Sequence, residues 1–134
     1  MSADRPTPPE FVGAMGFTTG EVSGTRVTGR AELGPEHHTP WGVVHGGVYC
    51  AIVESAASIG ASTAVRESGQ FSVGVNNSTD FVRSMTAGRV DVAAEPVQQG
   101  RTQQLWQVTL TRSEDGKLVA QGRVRLQNVP LPGS

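Results

Sequence analysis

Glu54 is the only formally charged side chain between Gly46 and Val65. It sits among small apolar and hydroxyl residues that begin in WGVVHGGVYCAIVES, Trp41 to Ser55. A carboxylate in such a run needs a partner or a chemical task, because an unpaired buried charge is costly. Read as a helix, the segment puts Cys50, Ala51, Ala57 and Ser58 about one turn from Glu54. These small neighbours can floor a pocket, and Ser58 at i+4 is placed to hydrogen-bond the carboxylate. That arrangement suits a general base or a nucleophile. The competing reading is an ion pair with an arginine, the commoner fate of a semi-buried glutamate.

His45, Gly46 and Gly47 stand at the helix entry. Paired glycines let a backbone come close to a ligand, although such a pair is often only a turn. The first N–H groups of a helix point outward and carry the positive end of its dipole. They can hold an anion, or the oxyanion that develops in acyl transfer. His37, His38 and His45 lack metal-ligand spacing, and Cys50 is expected to pack and not to react.

Elements must position these groups. Residues 47–65 lack strand alternation and are too long for one strand, so a single helix of about 28 Å is expected there. PEFVGAMG reads as a short helix before it, and FTTGEVSG and TRVTGRAEL as strands. In TRVTGRAEL, Val27, Ala31 and Leu33 alternate with polar residues. GPEHHTPWG is a loop by its glycine and proline. Four further strands are expected near 71–83, 89–97, 102–112 and 117–127. The last two alternate well, with Trp106, Val108 and Leu110 on one face and Leu118, Ala120, Val124 and Leu126 on another. EDGK between them carries an Asp-Gly hairpin signal. Sequential strands imply an antiparallel meander, so the fold class is α+β, with a curved sheet around one long central helix.

The chain has 134 residues and a formal net charge of -1. That suits one domain, here 11–129, between an expected flexible arm over 1–10 and a flexible tail over 130–134. One cysteine leaves no intrachain disulfide, in keeping with a cytoplasmic location. Lys117 is the only lysine and no basic stripe exists, so nucleic acid is not the expected partner. Residues 1–10 have no apolar core of a signal peptide. The Gly46–Val65 run contains a glutamate, three serines and a threonine, too polar for a membrane span.

The His-Gly-Gly of HGGVYCAIVES, with an acidic residue nine positions after the histidine, resembles the motif of hotdog-fold acyl-CoA thioesterases. A glutamate there resembles the branch of the Arthrobacter-type 4-hydroxybenzoyl-CoA thioesterases and the 1,4-dihydroxy-2-naphthoyl-CoA hydrolases. Phenylacetate-pathway thioesterases usually carry aspartate. FVRSMTAGRV is similar to the strand end that carries a CoA-contacting arginine, and GRTQQLWQVTL with DGKLVAQGRVRL to the family's last hairpin. The likeness spans residues 16–128.

The resemblance implies a homodimer whose sheets join edge to edge, paired again into a homotetramer. Active sites then lie at the dimer interface, with Glu54 of one subunit facing Gly46 of the other. It implies that Glu54 is the nucleophile or the general base, that the Gly46 N–H polarises the thioester carbonyl, and that His45 shapes the loop. It places Ser58 beside the carboxylate, Gly47 among the substrate-binding residues, Asn77 by the acyl pocket, and Arg83, Arg101 and Thr102 at the CoA nucleotide. Thr39 stands six residues before His45, where the family often has Gln or Asn. It is shorter and reaches less far, which bears on substrate choice. The expected reaction is hydrolysis of an aryl or hydroxyaryl acyl-CoA to free acid and CoA, with no metal and no cofactor beyond the CoA of the substrate. A medium-chain fatty acyl-CoA is the alternative substrate. A hotdog hydratase would need a histidine working on the acyl chain, and His45 reads as structural. A binding module without turnover is the remaining rival.

Overall fold

The computed structural model describes residues 9–133. Most of the expected arm over 1–10, and Ser134 of the expected tail, lie outside the described residues. Glu10 is not in an arm: it opens α1 (Glu10–Ala14). Then follow β1 (Phe17–Val22), β2 (Val27–Leu33), α2 (Gly46–Val65), β3 (Gln70–Phe81), β4 (Gly88–Gln99), β5 (Gln103–Arg112) and β6 (Leu118–Pro130). Pro130 still pairs with Gln70, so the last strand runs past the expected boundary at 129.

The strands form one antiparallel sheet in the order β1-β2-β4-β5-β6-β3, packed around α2. This is the hotdog fold. The expected four-strand meander needs correction. β4, β5 and β6 do meander, but β3 pairs with β6 at the sheet edge and β2 takes the place beside β4. The connection over 82–87 makes this feasible. It must pass two intervening strands, a span of about 14 Å at 4.8 Å per strand, and six residues reach about 20 Å.

Alternation puts Trp106, Val108, Leu110, Val124 and Leu126 on the inner face, all fully buried. They meet Tyr49, Ile52, Val53, Ala56, Ala57 and Ala61 of α2. A side chain such as Ile52 contributes about 1.5–3 kcal/mol by leaving water. Gly60 lets the helix touch the sheet, since a Cβ there would lie 2.4 Å from the Trp106 ring. Leu118 does not share the inner face equally with Ala120 as expected. The register shifts between Leu110 and Thr111, Val119 becomes fully buried, and Leu118 is only half-buried. A bulge re-aims the side chains beyond it.

EDGK closes the expected hairpin between β5 and β6. Within it Gly116 alone takes positive φ, at 73°, and the loop is longer than two residues. Asp115 holds that loop by accepting from the Arg112 guanidinium at 2.7 Å and the Lys117 N–H at 3.1 Å. The Arg112 bond keeps the Asp115 carboxyl down at about 2.

Gln104 is a buried polar residue within this core. Its Nε2 donates to Ala61 O and Asn128 Oδ1, each at 2.9 Å, and its Oε1 accepts from Trp106 Nε1 at 2.8 Å. The network fastens the C-terminal half of α2 to β5 and β6. By length and composition α2 is apolar enough to cross a membrane. Its apolar residues are instead used inside the fold, seven of them buried.

Candidate active site

The helix entry explains both glycines. His45 is the N-cap of α2, and its Nδ1 accepts from the Gly47 N–H at 2.8 Å. A Cβ on Gly47 would lie 2.9 Å from that nitrogen, so the cap needs glycine there. A Cβ on Gly46 would lie 2.4 Å from the Phe81 ring. The loop is anchored from both sides. The His45 N–H donates to His37 O, and the Val44 N–H to Met85 O, each at 2.8 Å. His37 accepts from the Gly34 N–H at Nδ1 and meets Ala14 O at Nε2, 2.7 Å. That pattern fits the neutral tautomer, so its proximity to Glu36 is not an ion pair. Gly46 thus presents a helix N-terminus with an outward N–H. Beside it the buried Tyr49 ring tilts against Phe81 at 5.9 Å, and burial pushes its phenol above the ordinary range.

Glu54 lies two turns along α2. In the single chain it is exposed, not semi-buried, because the sheet covers the opposite side of the helix. No cation stands within ion-pair distance of it among the described residues. Asn77 of β3 donates from Nδ2 to Glu54 Oε1 at 3.4 Å and to Cys50 O at 3.0 Å. The Thr79 hydroxyl donates to Asn77 Oδ1 at 2.6 Å, which turns the amide nitrogen toward the carboxylate. Gly74 makes room: a Cβ there would lie 2.7 Å from Glu54 Oε2. Two clefts of about 530 Å³ flank the carboxylate. One is lined by Cys50 and Asn77, the other by Ser58 and Ile59. Ser58 makes no hydrogen bond to Glu54 here and serves as cleft wall.

The remaining residues singled out from sequence are not gathered in one protomer. Gly46 and Glu54 are eight residues apart on one helix, about 12 Å along its axis. The Thr39 hydroxyl accepts from the Trp41 N–H at 3.2 Å, so it is engaged in its own turn. Arg83 donates to Leu118 O at 2.9 Å, at the start of β6. Arg101 and Thr102 lie by Asn128, near the other end of that strand. The expected single nucleotide site is therefore split, by about 30 Å along β6. Antiparallel pairing sends the β3–β4 and β4–β5 connections to opposite ends of the sheet. Gly74 and Phe81 escaped the sequence reading. A glycine within a strand was the available signal for the first.

Residues 42–119 match the family model of the thioesterase superfamily. "Putative esterase Rv1847" of Mycobacterium tuberculosis is 43% identical, over 96% of this chain and 95% of that protein. Its solved structure superposes with a TM-score of 0.87, covering 92% of this chain and 98% of the other. The 1,4-dihydroxy-2-naphthoyl-CoA thioesterase 2 of Arabidopsis thaliana is 36% identical, over 95% of this chain and 88% of its own. The Haemophilus influenzae thioesterase HI1161 superposes with a TM-score of 0.83 at 27% identity, covering 91% of this chain and 84% of the other.

Proposed function

The chain belongs to the thioesterase superfamily and is a thioester hydrolase, and from that premise we propose that it hydrolyses an aryl or hydroxyaryl acyl-CoA to the free acid and CoA. The observation that carries this is the Glu54 carboxylate, held by Asn77 between two clefts and without a counter-cation among the described residues. A relative with 36% identity is a 1,4-dihydroxy-2-naphthoyl-CoA thioesterase, which supports an aryl substrate. The apolar lining by Val12, Phe17 and Ile59 equally suits a medium-chain fatty acyl group, the second reading.

In the proposed reaction Glu54 attacks the thioester carbonyl, or deprotonates a water that does. The partner subunit's Gly46 N–H, at its helix N-terminus, stabilises the oxyanion. The tetrahedral species collapses and expels CoA as a thiolate. Where Glu54 has taken a proton from water, collapse gives the free acid directly and that proton goes to the thiolate. Where Glu54 is the nucleophile, collapse leaves an acyl–Glu54 anhydride, and a water hydrolyses it to the free acid and the Glu54 carboxylate while its remaining proton goes to the thiolate. A thiolate is a good leaving group, so no metal or redox cofactor is required. CoA itself is part of the substrate.

A homodimer fits this scheme. β3 is a twelve-residue edge strand with Val73, Val75 and Phe81 exposed along it and Val82 just after. Pairing two such edges covers that apolar surface and satisfies backbone groups. It would bring Glu54 and Gly46 together from two chains, which the 12 Å separation within one chain prevents. Pairing of dimers into a tetramer would let Arg83 of one chain and Arg101 and Thr102 of another serve one CoA. The proposed location is the cytoplasm.

Thiol release from benzoyl, 4-hydroxybenzoyl, dihydroxynaphthoyl, phenylacetyl, hexanoyl and palmitoyl thioesters tests the reading. Wild type should turn over an aryl thioester, and Glu54→Gln should lose at least about 10³-fold in kcat while still binding CoA. Binding without turnover of every aryl thioester by wild type would overturn the proposed substrate class and the proposed role of Glu54.

A further inference from the structure

We propose that Phe11, backed by Val12, forms the wall of the acyl pocket and sets how large an acyl group reaches Glu54. This rests on the acyl-CoA reading above. Three concavities meet at α1. The first, of about 530 Å³, is lined by Phe11, Val12 and Met15 together with Glu54 and Asn77. The second, of about 410 Å³, runs from Phe11 to His45 and Gly47. The third, of about 530 Å³, lies between Val12, Phe17 and Ile59, again with Glu54. Phe11 and Val12 are thus the partition between the clefts on the two sides of the carboxylate and the cleft at the helix entry.

Among the described residues, α1 is secured at its C-terminal end. Ala14 O meets His37 Nε2 at 2.7 Å, and Met15, the next residue, is buried at 4% exposure. No residue within α1 is buried. Phe11 is 71% and Val12 44% exposed, so their apolar surface overhangs the Glu54 clefts with none of the described residues covering it. Isolated exposed apolar residues are ordinary. These two are adjacent, and they border the same clefts as the carboxylate. An apolar wall there recognises the acyl group of a thioester attacked at Glu54. The pantetheine amides and the nucleotide phosphates require polar partners instead.

The test compares kcat/KM for benzoyl, hexanoyl, decanoyl and palmitoyl-CoA across the full-length wild type, Phe11→Ala, Phe11→Leu and Val12→Ala. Phe11→Ala should shift the decanoyl-to-benzoyl ratio by about tenfold or more toward decanoyl, as loss of a pocket wall does. Phe11→Leu should fall between. Melting curves identify folded variants; if Phe11→Ala does not fold, Phe11→Leu and Val12→Ala carry the comparison. A kcat/KM change of the same factor for every thioester places Phe11 on the shared CoA portion and overturns the proposal. So does an unchanged profile, in which case the thioesterase reading stands. A wild type inactive on every thioester overturns both.

Discussion

Asn77 on the edge strand holds Glu54 on the central helix, with its amide nitrogen 3.4 Å from the carboxylate and 3.0 Å from the carbonyl of Cys50. The two residues are 23 apart in sequence. They meet because β3 runs beside α2 and because Gly74 leaves space for the carboxylate. Asn77→Ala should lower kcat about tenfold. A hydrogen bond to a charged group contributes about 1.5–3 kcal/mol, less where water has access, and 1.4 kcal/mol is a factor of ten. Asn77→Asp should lose more at the same pH, since it sets a second carboxylate beside the first. Steady-state thiol release on the preferred thioester reads both. Equal activity of all three proteins would remove Asn77 from the site.

Gly46→Ala tests the helix entry. Its Cβ would meet the Phe81 ring at 2.4 Å. That ring is half exposed and can swing aside, so the stability cost should sit near the low end of overpacking, about 1 kcal/mol. The turnover loss should be far larger, at about 10²-fold, because the added methyl stands beside the N–H proposed to receive the oxyanion and crowds the approach of the carbonyl. Urea melts and kcat, measured on one preparation, separate the two effects. Adding Phe81→Leu should restore stability and leave kcat low.

Gln104 should matter for stability and not for chemistry. Gln104→Leu leaves the buried Trp106 Nε1–H without its acceptor, while Asn128 Oδ1 loses one of two donors and keeps the Ser72 hydroxyl. The orphaned indole N–H costs about 1–3 kcal/mol. A loss of about 2 kcal/mol should lower Tm by roughly 7 °C. Residual kcat of the folded fraction should match wild type. Calorimetry with an activity assay at low temperature checks this.

Val75 is the bulge residue of β3, 55% exposed on the outer edge. Val75→Lys puts a charge where a second chain is proposed to pair. The variant should run as a monomer by light scattering while keeping its circular dichroism. Its activity should vanish with the dimer, since one chain cannot bring Gly46 to Glu54. A folded monomer with full activity would refute the shared site.

The helix, its entry and its carboxylate were legible in the sequence. Local chemistry dictates them: small residues without alternation make α2, and glycine is the residue that admits the His45 cap and the Phe81 ring. Strand existence was legible too, from period-two burial in β2 and β5. Strand order was not. β3 could pair with β4 or β6 on pattern alone, and only closure of the sheet around α2 selects β6. The bulge before Ala120 was hidden for the same reason, since it depends on partner strands and on the 82–87 connection that bonds to Val119 O.

By itself, then, the sequence determined which groups can do chemistry: one carboxylate, a helix N-terminus and a few hydroxyl and amide side chains. Tertiary structure decided which of them meet. It joined Asn77 and Gly74 to Glu54, hung Phe11 over the cleft, and sent Arg83 and Arg101 to opposite ends of the sheet. The physical reason is range. Capping and helix formation act over a few residues and are written locally. Contacts across an antiparallel sheet depend on register and strand order, which the whole packed core selects.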